Sequence, residues 1–315
     1  MRNQALDRLC YYRGYSLHQE FEMSDVKMSI IIVNFNAGEL LTECVRSVLS
    51  STVSVEVIVS DNASSDGSIS FLERSIQDDR LQLVPNGGNL GFASANNRVI
   101  PATRGDYLLI LNPDCIIQPN TLAGMLEQMQ LHPEVGMSGC LIRNLDGSEQ
   151  AGCRRRVPTP WRSLVRVLYF DRLFFSHPKF ESMVMHQKPL PKGVEYNEAV
   201  SGAFMLVRRT AMEEVGLMDE GYFLHCEDLD WCMRFRKKGW QILFVPDIEV
   251  THAKGVCSHA RPIRVEWHKH VGMLRFYRKF FRHQYPLPLM FIVFFAVFIR
   301  FIGIALLSGC RRVIQ

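Results

Sequence analysis

Short apolar runs alternate with amphipathic runs along residues 28–131, and this alternation constrains the fold more than any other feature. The apolar runs are four or five residues long and are bounded by turn-forming residues, whereas the runs between them have helical spacing. Such alternation is typical of an α/β fold with a mostly parallel central sheet flanked by helices. Strands are predicted at residues 29–33, 55–59, 81–84 and 107–111, and helices at residues 40–49, 68–76, 93–100 and 120–131.

The composition is that of a folded protein with a sizeable core. Of 315 residues, 47% are hydrophobic and 22% charged, which excludes disorder, collagen and coiled coil. A net charge of +4 is too small for a dedicated nucleic-acid-binding protein, and no nucleic-acid partner is expected. The nine cysteines lack C-x-x-C spacing, so no disulfide framework or structural zinc site is expected. Residues 1–27 have no clear period and no apolar run typical of a secretory signal. We predict that they form an N-terminal extension and that the globular part faces the cytosol.

Polar clusters follow three of the predicted strands. Ligands bind at the carboxyl ends of the strands in such sheets, so these clusters hold the candidate binding residues. Ser65, Gly67 and Ser68 are equally well explained as turn and helix-capping residues. Asp114 follows Pro113 and caps no obvious helix, and we expect it to be an exposed ligand for a cation or a nucleotide. The candidate residues are Asn34, Asn36, Asp61, Asn62, Asn112 and Asp114.

A dinucleotide-binding site is the first alternative to test for a parallel sheet. The turn after the first strand, residues 34–39, contains one glycine, whereas the G-x-G-x-x-G fingerprint needs three there. The glycines at positions 87, 88 and 91 have another spacing and another place in the chain. A Walker A loop is absent from the sequence as well. Oxidoreductase and P-loop functions are therefore disfavoured.

Three acids open a predicted helix in the second half of the chain. Glu227, Asp228 and Asp230 begin it, and basic residues precede its end at Gly239. Helix-dipole complementarity alone can produce this order of charges. Three acids within four residues exceed that need, and the aromatic segment 222–225 precedes them. Because successive helix residues point about 100° apart, we expect one of Glu227 and Asp228 to act on a substrate hydroxyl while the other supports it. Asp230 lies on the face of Glu227 and could share its network.

Five ordered motifs resemble glycosyltransferase family 2, in its rhamnosyltransferase-like branch. They are IIIVNFNAGELLTECVRSVLSS, VIVSDNASSDGS, NGGNLGFASANN, YLLILNPDC and GAFMLVRRTAMEEVGLMDEGYFLHCEDLDWCMRFRKKGW. The resemblance spans roughly residues 28–258 and implies a GT-A fold over residues 28–260. It implies a nucleotide-sugar half at 28–142 and an acceptor half at 143–260. It also implies a nucleotide-sugar donor, Mg²⁺ or Mn²⁺ as cofactor, and inversion at the anomeric carbon.

The resemblance also implies roles for individual residues. Asn112 and Asp114 occupy the first and last positions of the family's D-x-D signature, so Asp114 is the expected metal ligand. His252 belongs to the family's final motif and is expected to complete the metal or diphosphate site, with Lys254 a candidate phosphate contact. The nucleotide is expected against Asn34, Asn36, Asp61 and Asn62. By the family's ED motif, Asp228 is the general base, and Glu227 orients it or binds the acceptor.

Two further segments suggest which acceptor the protein binds and where in the cell it acts. Residues 154–195 mix arginines with aromatic residues, which fits either a solvated loop over a small core or an acceptor site for pyrophosphate and lipid. Residues 261–282 carry seven Lys and Arg against one acid, and residues 287–307 carry Arg300 as their sole charge. A 21-residue helix rises about 32 Å, the thickness of a hydrocarbon core. A spanning helix, an interfacial anchor and a buried core helix remain open, because Arg300 and two prolines weaken a simple span. We predict that residues 261–315 form a basic segment and a C-terminal hydrophobic, membrane-associated helix.

The resemblance implies a metal-dependent inverting glycosyltransferase, and the C-terminal segment predicts that it lies at the cytoplasmic face of the bacterial inner membrane, next to anionic lipid. The resemblance favours transfer of L-rhamnose from dTDP-rhamnose to a lipid-linked glycan acceptor in surface polysaccharide biosynthesis. One alternative is a transferase that uses a UDP- or GDP-sugar on the same scaffold. Another is a non-catalytic glycan-assembly subunit, against which the intact Asp61, Asp114, Glu227 and Asp228 argue.

Overall fold

The computed structural model describes residues 28–173, 177–180, 183, 185–253 and 262–314. Lys254 lies outside these residues. The strands are β1 (Met28–Asn34), β2 (Val55–Asp61), β3 (Leu81–Pro85), β4 (Tyr107–Leu111), β5 (Cys115–Ile116), β6 (Val135–Arg143), β7 (Arg154–Arg155), β8 (Glu195–Tyr196), β9 (Ala199–Val200), β10 (Phe204–Arg208) and β11 (Gln241–His252). The helices are α1 (Leu40–Leu49), α2 (Ser68–Ser75), α3 (Phe92–Val99), α4 (Thr121–Leu131), α5 (Pro160–Val167), α6 (Phe170–Leu173), α7 (Arg209–Val215), α8 (Glu227–Lys237), α9 (Pro262–Phe281) and α10 (Leu287–Ile314).

A central sheet runs through the described part of the chain in the order β3-β2-β1-β4-β10-β6-β11-β5, with β8 also paired to β11. The first four strands are parallel, as the alternating pattern predicts. Strand β10 is antiparallel to both β4 and β6 and joins the two halves into one sheet. All seven residues of β1 are buried, because helices cover both faces of the sheet. The polar turns after β1, β2 and β4 therefore meet along one edge.

The predicted elements between residues 28 and 131 are present with shifts of one or two residues at their ends. Segment 154–195 differs, because it contains two helices, α5 and α6, among its irregular parts. Helix α5 begins where Thr159 Oγ1 accepts a hydrogen bond from Arg162 N and Pro160 occupies the first turn. A capping threonine followed by proline is an ordinary helix start, so this helix had a sequence signal that was missed.

The two C-terminal helices pack onto the second half of the preceding domain. Helices α9 and α10 run antiparallel, since the Phe301 ring lies 5.3 Å from Trp267 and 5.5 Å from His270. Phe276 and Tyr277 of α9 are buried in the same core as the inner side of α10. Helices α9 and α10 therefore share their core with the domain before them.

Helix α10 has one packed side and one exposed apolar side. Met290 and Val293 are buried against the core. Residues Leu287–Ile304 are long and apolar enough to cross a membrane, and 11% of this window is buried. Of the three possibilities that the sequence left open, a fully buried core helix is wrong. The exposed side consists of Leu287, Phe291, Ile292, Phe295, Phe298, Ile299, Ile302 and Leu306.

Candidate active site

A cavity of about 440 Å³ lies where the carboxyl ends of β1 and β4 face the start of α8. It brings together residues from both halves of the chain. The predicted site residues that line it are Asn62, Asn112, Asp114, Glu227, Asp228 and His252. Two further lining residues, Gln150 and Arg155, were not predicted.

Three other predicted binding residues hold the loop beside this cavity. Asn34 is fully buried, and its Nδ2 lies 2.9 Å from both Asp61 Oδ1 and Ser64 Oγ. Asn36 Oδ1 accepts a 2.8 Å hydrogen bond from Ser65 N. The prediction that Asn34 touches a nucleotide does not fit its burial, and in this conformation it supports Asp61. Asn36 and Asp61 are partly exposed beside the cavity, and their contact with a nucleotide stays a prediction.

Asn62 links the cavity to the glycine-rich segment that follows β3. Its Oδ1 accepts from Asn86 Nδ2 at 2.9 Å, and its Nδ2 donates to Gly91 O at 3.2 Å. A Cβ at Gly91 would lie 2.4 Å from Phe223 O, and the φ of Gly91 is +85°. Position 91 therefore requires glycine, because the loop that leads to α8 passes directly over it.

A second contact joins the same two regions. Asn97 of α3 donates through Nδ2 to Met218 O at 2.9 Å and accepts from Met218 N at 3.1 Å. Together with Gly91 and Phe223, this pair forms a seam between α3 and segment 216–226.

Asp114 and His252 form a buried pair at the floor of the cavity. The distance from Asp114 Oδ1 to His252 Nε2 is 3.0 Å, and Asn112 Nδ2 lies 3.2 Å from the same nitrogen. Asp114 is only 4% exposed, so the prediction of an exposed ligand is wrong in that respect. β11 runs on to residue 252 and pairs there with β5, which places the imidazole next to the carboxylate.

The orientation of His252 is set by Gln150. Gln150 Nε2 donates to Asn144 Oδ1 at 2.9 Å, which leaves Gln150 Oε1 to accept from His252 Nδ1 at 2.7 Å. The proton of a neutral imidazole is thereby assigned to Nδ1, and the Nε2 lone pair faces the Asp114 carboxylate. Asn112 Nδ2 can donate to this lone pair, but the carboxylate oxygen still repels it unless a proton or a metal cation is shared between the two atoms. The donor set therefore fits a divalent ion held by carboxylate oxygen and imidazole nitrogen.

Cys115 is close to this pair but does not suit a hard cation. Its thiol is fully buried. Burial raises the pKa of Cys115 well above its usual value, and the nearby charge of Asp114 adds to the increase. The thiol therefore stays protonated, whereas metal binding needs the thiolate.

Glu227 and Asp228 occupy the first turn of α8, after two residues in the left-handed region. His225 and Cys226 have φ values of +67° and +72°, an unusual backbone that turns the start of the helix into the cavity. Asp228 Oδ2 accepts from Gly202 N at 3.1 Å and from Arg155 Nη2. Glu227 Oε2 is buried and has no hydrogen-bond partner among the described residues.

These surroundings shift the pKa values of Glu227 and Asp228 in opposite directions. Burial raises the pKa of Glu227, and the neighbouring charge of Asp228 raises it further. Burial also acts to raise the pKa of Asp228, but the charge and hydrogen bonds of Arg155 outweigh it and leave that pKa below its usual value. Asp228 is therefore ionised at neutral pH, whereas Glu227 retains its proton more readily.

Asp230 belongs to a different network. Its Oδ1 is 2.7 Å from Arg234 Nε, and its Oδ2 is 2.6 Å from Lys279 Nζ of α9. The expectation that it shares the network of Glu227 is wrong, because these cations hold its carboxylate on the side of α8 that faces α9.

The sequence is similar to those of known glycosyltransferases. The sequence model described as "Glycosyltransferase like family 2" matches residues 26–264. The chain belongs to glycosyltransferase family 2. An N-acetylglucosaminyl-diphospho-decaprenol L-rhamnosyltransferase of Mycobacterium tuberculosis is 30% identical over 74% of this chain and 77% of its own. Rhamnosyltransferase WbbL of Escherichia coli is 25% identical over 71% of this chain and 82% of its own. This family 2 glycosyltransferase is accordingly a hexosyltransferase.

Solved structures confirm the predicted GT-A-type fold. A mannosyltransferase of Pyrobaculum calidifontis in complex with GDP-Man and Mn²⁺ superposes with a TM-score of 0.55 at 20% identity, over 85% of this chain and 68% of that one. GalNAc-T7 with UDP, GalNAc and Mn²⁺ gives a TM-score of 0.55 at 18% identity, over 76% of this chain and 47% of that one. At these identities the likeness concerns the fold of this family 2 glycosyltransferase.

Proposed function

We propose that this enzyme is a metal-dependent inverting transferase that moves L-rhamnose from dTDP-rhamnose to a lipid-linked glycan acceptor. The observation that carries the proposal is the single cavity shared by the Asp114–His252 pair and the Glu227–Asp228 pair. The first pair fits an ion beside a diphosphate, and the second offers an ionised carboxylate to a hydroxyl. The names of the two rhamnosyltransferase relatives support the choice of sugar and of a lipid-linked acceptor.

The reaction needs a nucleophile and a leaving group on opposite sides of the anomeric carbon. The acceptor oxygen bonds to that carbon while the bond from the carbon to the phosphate oxygen breaks, and this attack inverts the configuration. The nucleoside diphosphate leaves with the electron pair, and the hydroxyl proton passes to a carboxylate oxygen of Asp228. Asp114 and His252 would hold Mg²⁺ or Mn²⁺, which when bound neutralises charge on the leaving diphosphate.

The donor is tested with a panel of nucleotide sugars and purified full-length protein. Release of nucleoside diphosphate and transfer to a synthetic lipid diphosphate–GlcNAc acceptor are measured for dTDP-rhamnose and for UDP- and GDP-sugars. We expect dTDP-rhamnose to give the highest kcat/KM. Preference for a UDP- or GDP-sugar would replace the donor assignment, and no turnover with any donor would favour a non-catalytic assembly subunit.

The contact between Arg155 and Asp228 leads to a prediction about how activity depends on pH. Activity falls as pH decreases through the pKa of the base, because the protonated carboxyl cannot accept the proton. Arg155 lowers the pKa of Asp228, so the wild-type enzyme should keep its activity to lower pH. Arg155→Met removes this effect, and we expect the acidic limb of the kcat/KM profile to move to higher pH. An unchanged limb would show that Asp228 is not the group that titrates, and Arg156→Met provides a neighbouring control.

We also propose that α10 attaches the enzyme to the cytoplasmic membrane surface without crossing it. Helix α9 runs beside α10, so a spanning α10 would carry charged residues of α9 such as Lys269 and Arg275 to membrane depth. Each such charge costs about 2.5–3.5 kcal/mol at the bilayer centre. An in-plane position instead buries the exposed apolar side and leaves the packed side on the protein.

The double variant Phe295→Ser/Phe298→Ser tests this attachment. Both rings are more than half exposed, so the fold should keep its unfolding temperature. Losing about 1.5 kcal/mol per ring would weaken vesicle binding by roughly 10²-fold. Leu131→Ser/Leu145→Ser removes two exposed leucines elsewhere and should bind as the wild type does. Equal flotation of all three proteins with vesicles would contradict the membrane role of α10.

A further inference from the structure

Helix α9 contacts the chain both before and after the turn that leads into the two acids. Lys279 Nζ of this helix lies 2.6 Å from Asp219 Oδ2 and 2.6 Å from Asp230 Oδ2. Asp219 precedes the left-handed residues 225–226 in the chain, and Asp230 follows them in α8. One side chain of α9 therefore joins the two ends of the turn that directs the acids into the catalytic cavity.

The Asp230 end of this bridge is fully buried. Asp230 is 0% exposed, so its charge has to be balanced by protein groups. Arg234 binds its Oδ1, and Lys279 is the cation beside its Oδ2. Removing one partner of a buried ion pair is strongly unfavourable, because the other charge stays out of water. Without Lys279, α8 would have to shift until water reached that oxygen.

The Asp219 end is held by a second cation of α9. Arg275 Nη2 donates to Asp219 Oδ1 at 2.8 Å and to Oδ2 at 3.1 Å. Its guanidinium lies over Gly221, where a Cβ would be 2.2 Å from Arg275 Nη2. Burial acts to raise the pKa of Asp219, but the hydrogen bonds from Lys279, from the backbone of Gly221 and from Arg275 lower it to about 2. Asp219 is therefore ionised at neutral pH and keeps both ion pairs.

Helix α9 also packs closely against the turn itself. A Cβ at Gly272 would lie 2.9 Å from His225 O. The ring of Phe223 stacks on His268 of α9, with the ring centroids 4.4 Å apart. Residues in the left-handed region persist only where the surrounding structure imposes that backbone. The turn is therefore held by α9 as well as by the seam with α3.

We propose that Lys279 is a positioning residue for sugar transfer. It acts through Asp219 and Asp230 to keep the first turn of α8 in the orientation that presents Asp228 to the acceptor hydroxyl. Lys279 does not line the catalytic cavity, and it lies beyond residues 26–264, which the family model matches. The inference rests on the proposed role of Asp228 and adds to it a residue of α9 on which that role depends.

Amide hydrogen exchange of the full-length protein tests the bridge without any turnover. We expect Lys279→Met to speed exchange in peptides covering residues 216–230 by about tenfold or more, because a buried contact between charged groups is lost. Peptides that cover Asp114 and strand β1 should exchange as in the wild type. Unchanged exchange over residues 216–230 would overturn the proposal. An equal increase in β1 would overturn it too, because it would show a general loss of stability.

Steady-state transfer to a water-soluble acceptor, without vesicles, tests the consequence for the reaction. We expect kcat of Lys279→Met to fall by about 10²-fold, the loss that a displacement of about 1 Å can cause at a reacting group. The KM of the donor should stay within about twofold, because Asp114 and His252 are unchanged. Lys279→Arg should recover most of the lost kcat, since a guanidinium can also bind two carboxylates.

Arg278→Met is the matched control, because it removes one positive charge from the neighbouring exposed position of α9. It should exchange and turn over as the wild type does. An undiminished kcat in Lys279→Met, or the same loss in Arg278→Met, would overturn the proposal. If the wild type transfers no sugar from any donor, the proposed function fails, and the exchange measurement still decides whether Lys279 holds the turn.

Discussion

Asp228→Asn is expected to lower the rate of sugar transfer by about 10²–10⁴-fold, the range typical of removing a general base. The amide has nearly the same shape as the carboxylate, but it cannot accept the acceptor's proton. Donor binding should persist, because Asp114 and His252 are unchanged. Single-turnover transfer and nucleotide affinity, measured on the same preparation, separate these two effects.

Glu227→Gln is the matched control for this experiment. Burial and the charge of Asp228 raise the pKa of Glu227, so glutamine imitates the protonated form that the site favours. We expect this variant to retain most of its turnover. If Asp228→Asn transfers sugar normally and Glu227→Gln does not, the base is Glu227.

Removing the divalent ion should abolish transfer. Excess EDTA should stop the reaction, and added Mn²⁺ or Mg²⁺ should restore it. Asp114→Ala should weaken metal affinity by more than the 10–100-fold loss typical of residues that only orient a ligand. Calorimetric titration with dTDP, with and without Mn²⁺, measures this loss independently of turnover.

Asp66→Ala gives the comparison for Asp114. Asp66 lies on the loop after β2, where its Oδ2 accepts from Gly38 N at 2.7 Å, and it does not line the catalytic cavity. Its substitution should leave the metal-dependent part of dTDP binding unchanged. Full activity in excess EDTA would refute the metal proposal and leave the leaving-group charge to other groups around the cavity.

Local patterns were sufficient to predict the four parallel strands β1 to β4 and the helices that follow them, whereas β6 and β10 were not predicted. The run SIIIV is apolar throughout and short, so it reads as a buried strand without knowledge of its neighbours. Asp114 was found because it follows an apolar strand, and Asp228 was found because it lies at the start of a predicted helix. The motifs added the family, since their order along the chain is informative even where single motifs are not.

The contacts that tune the site were not predictable in the same way. Arg155 and Asp228 are 73 residues apart, and Gln150 and His252 are 102 apart. Neither pair follows a local period. Their proximity depends on β7 pairing with β9 and on β11 pairing with β6, which the sequence pattern did not specify. The burial of Asp114 was missed for the same reason.

The seam between α3 and segment 216–226 limits how this enzyme can be re-engineered. Gly91 leaves no room for a side chain under Phe223, and Asn97 is paired with both backbone groups of Met218. The half that carries the predicted nucleotide residues and the loop that carries the acids are therefore fitted to each other. A chimera that takes its acceptor half from a relative must import a matching partner for positions 91 and 97. We therefore expect the two sides of this contact to be exchangeable only together.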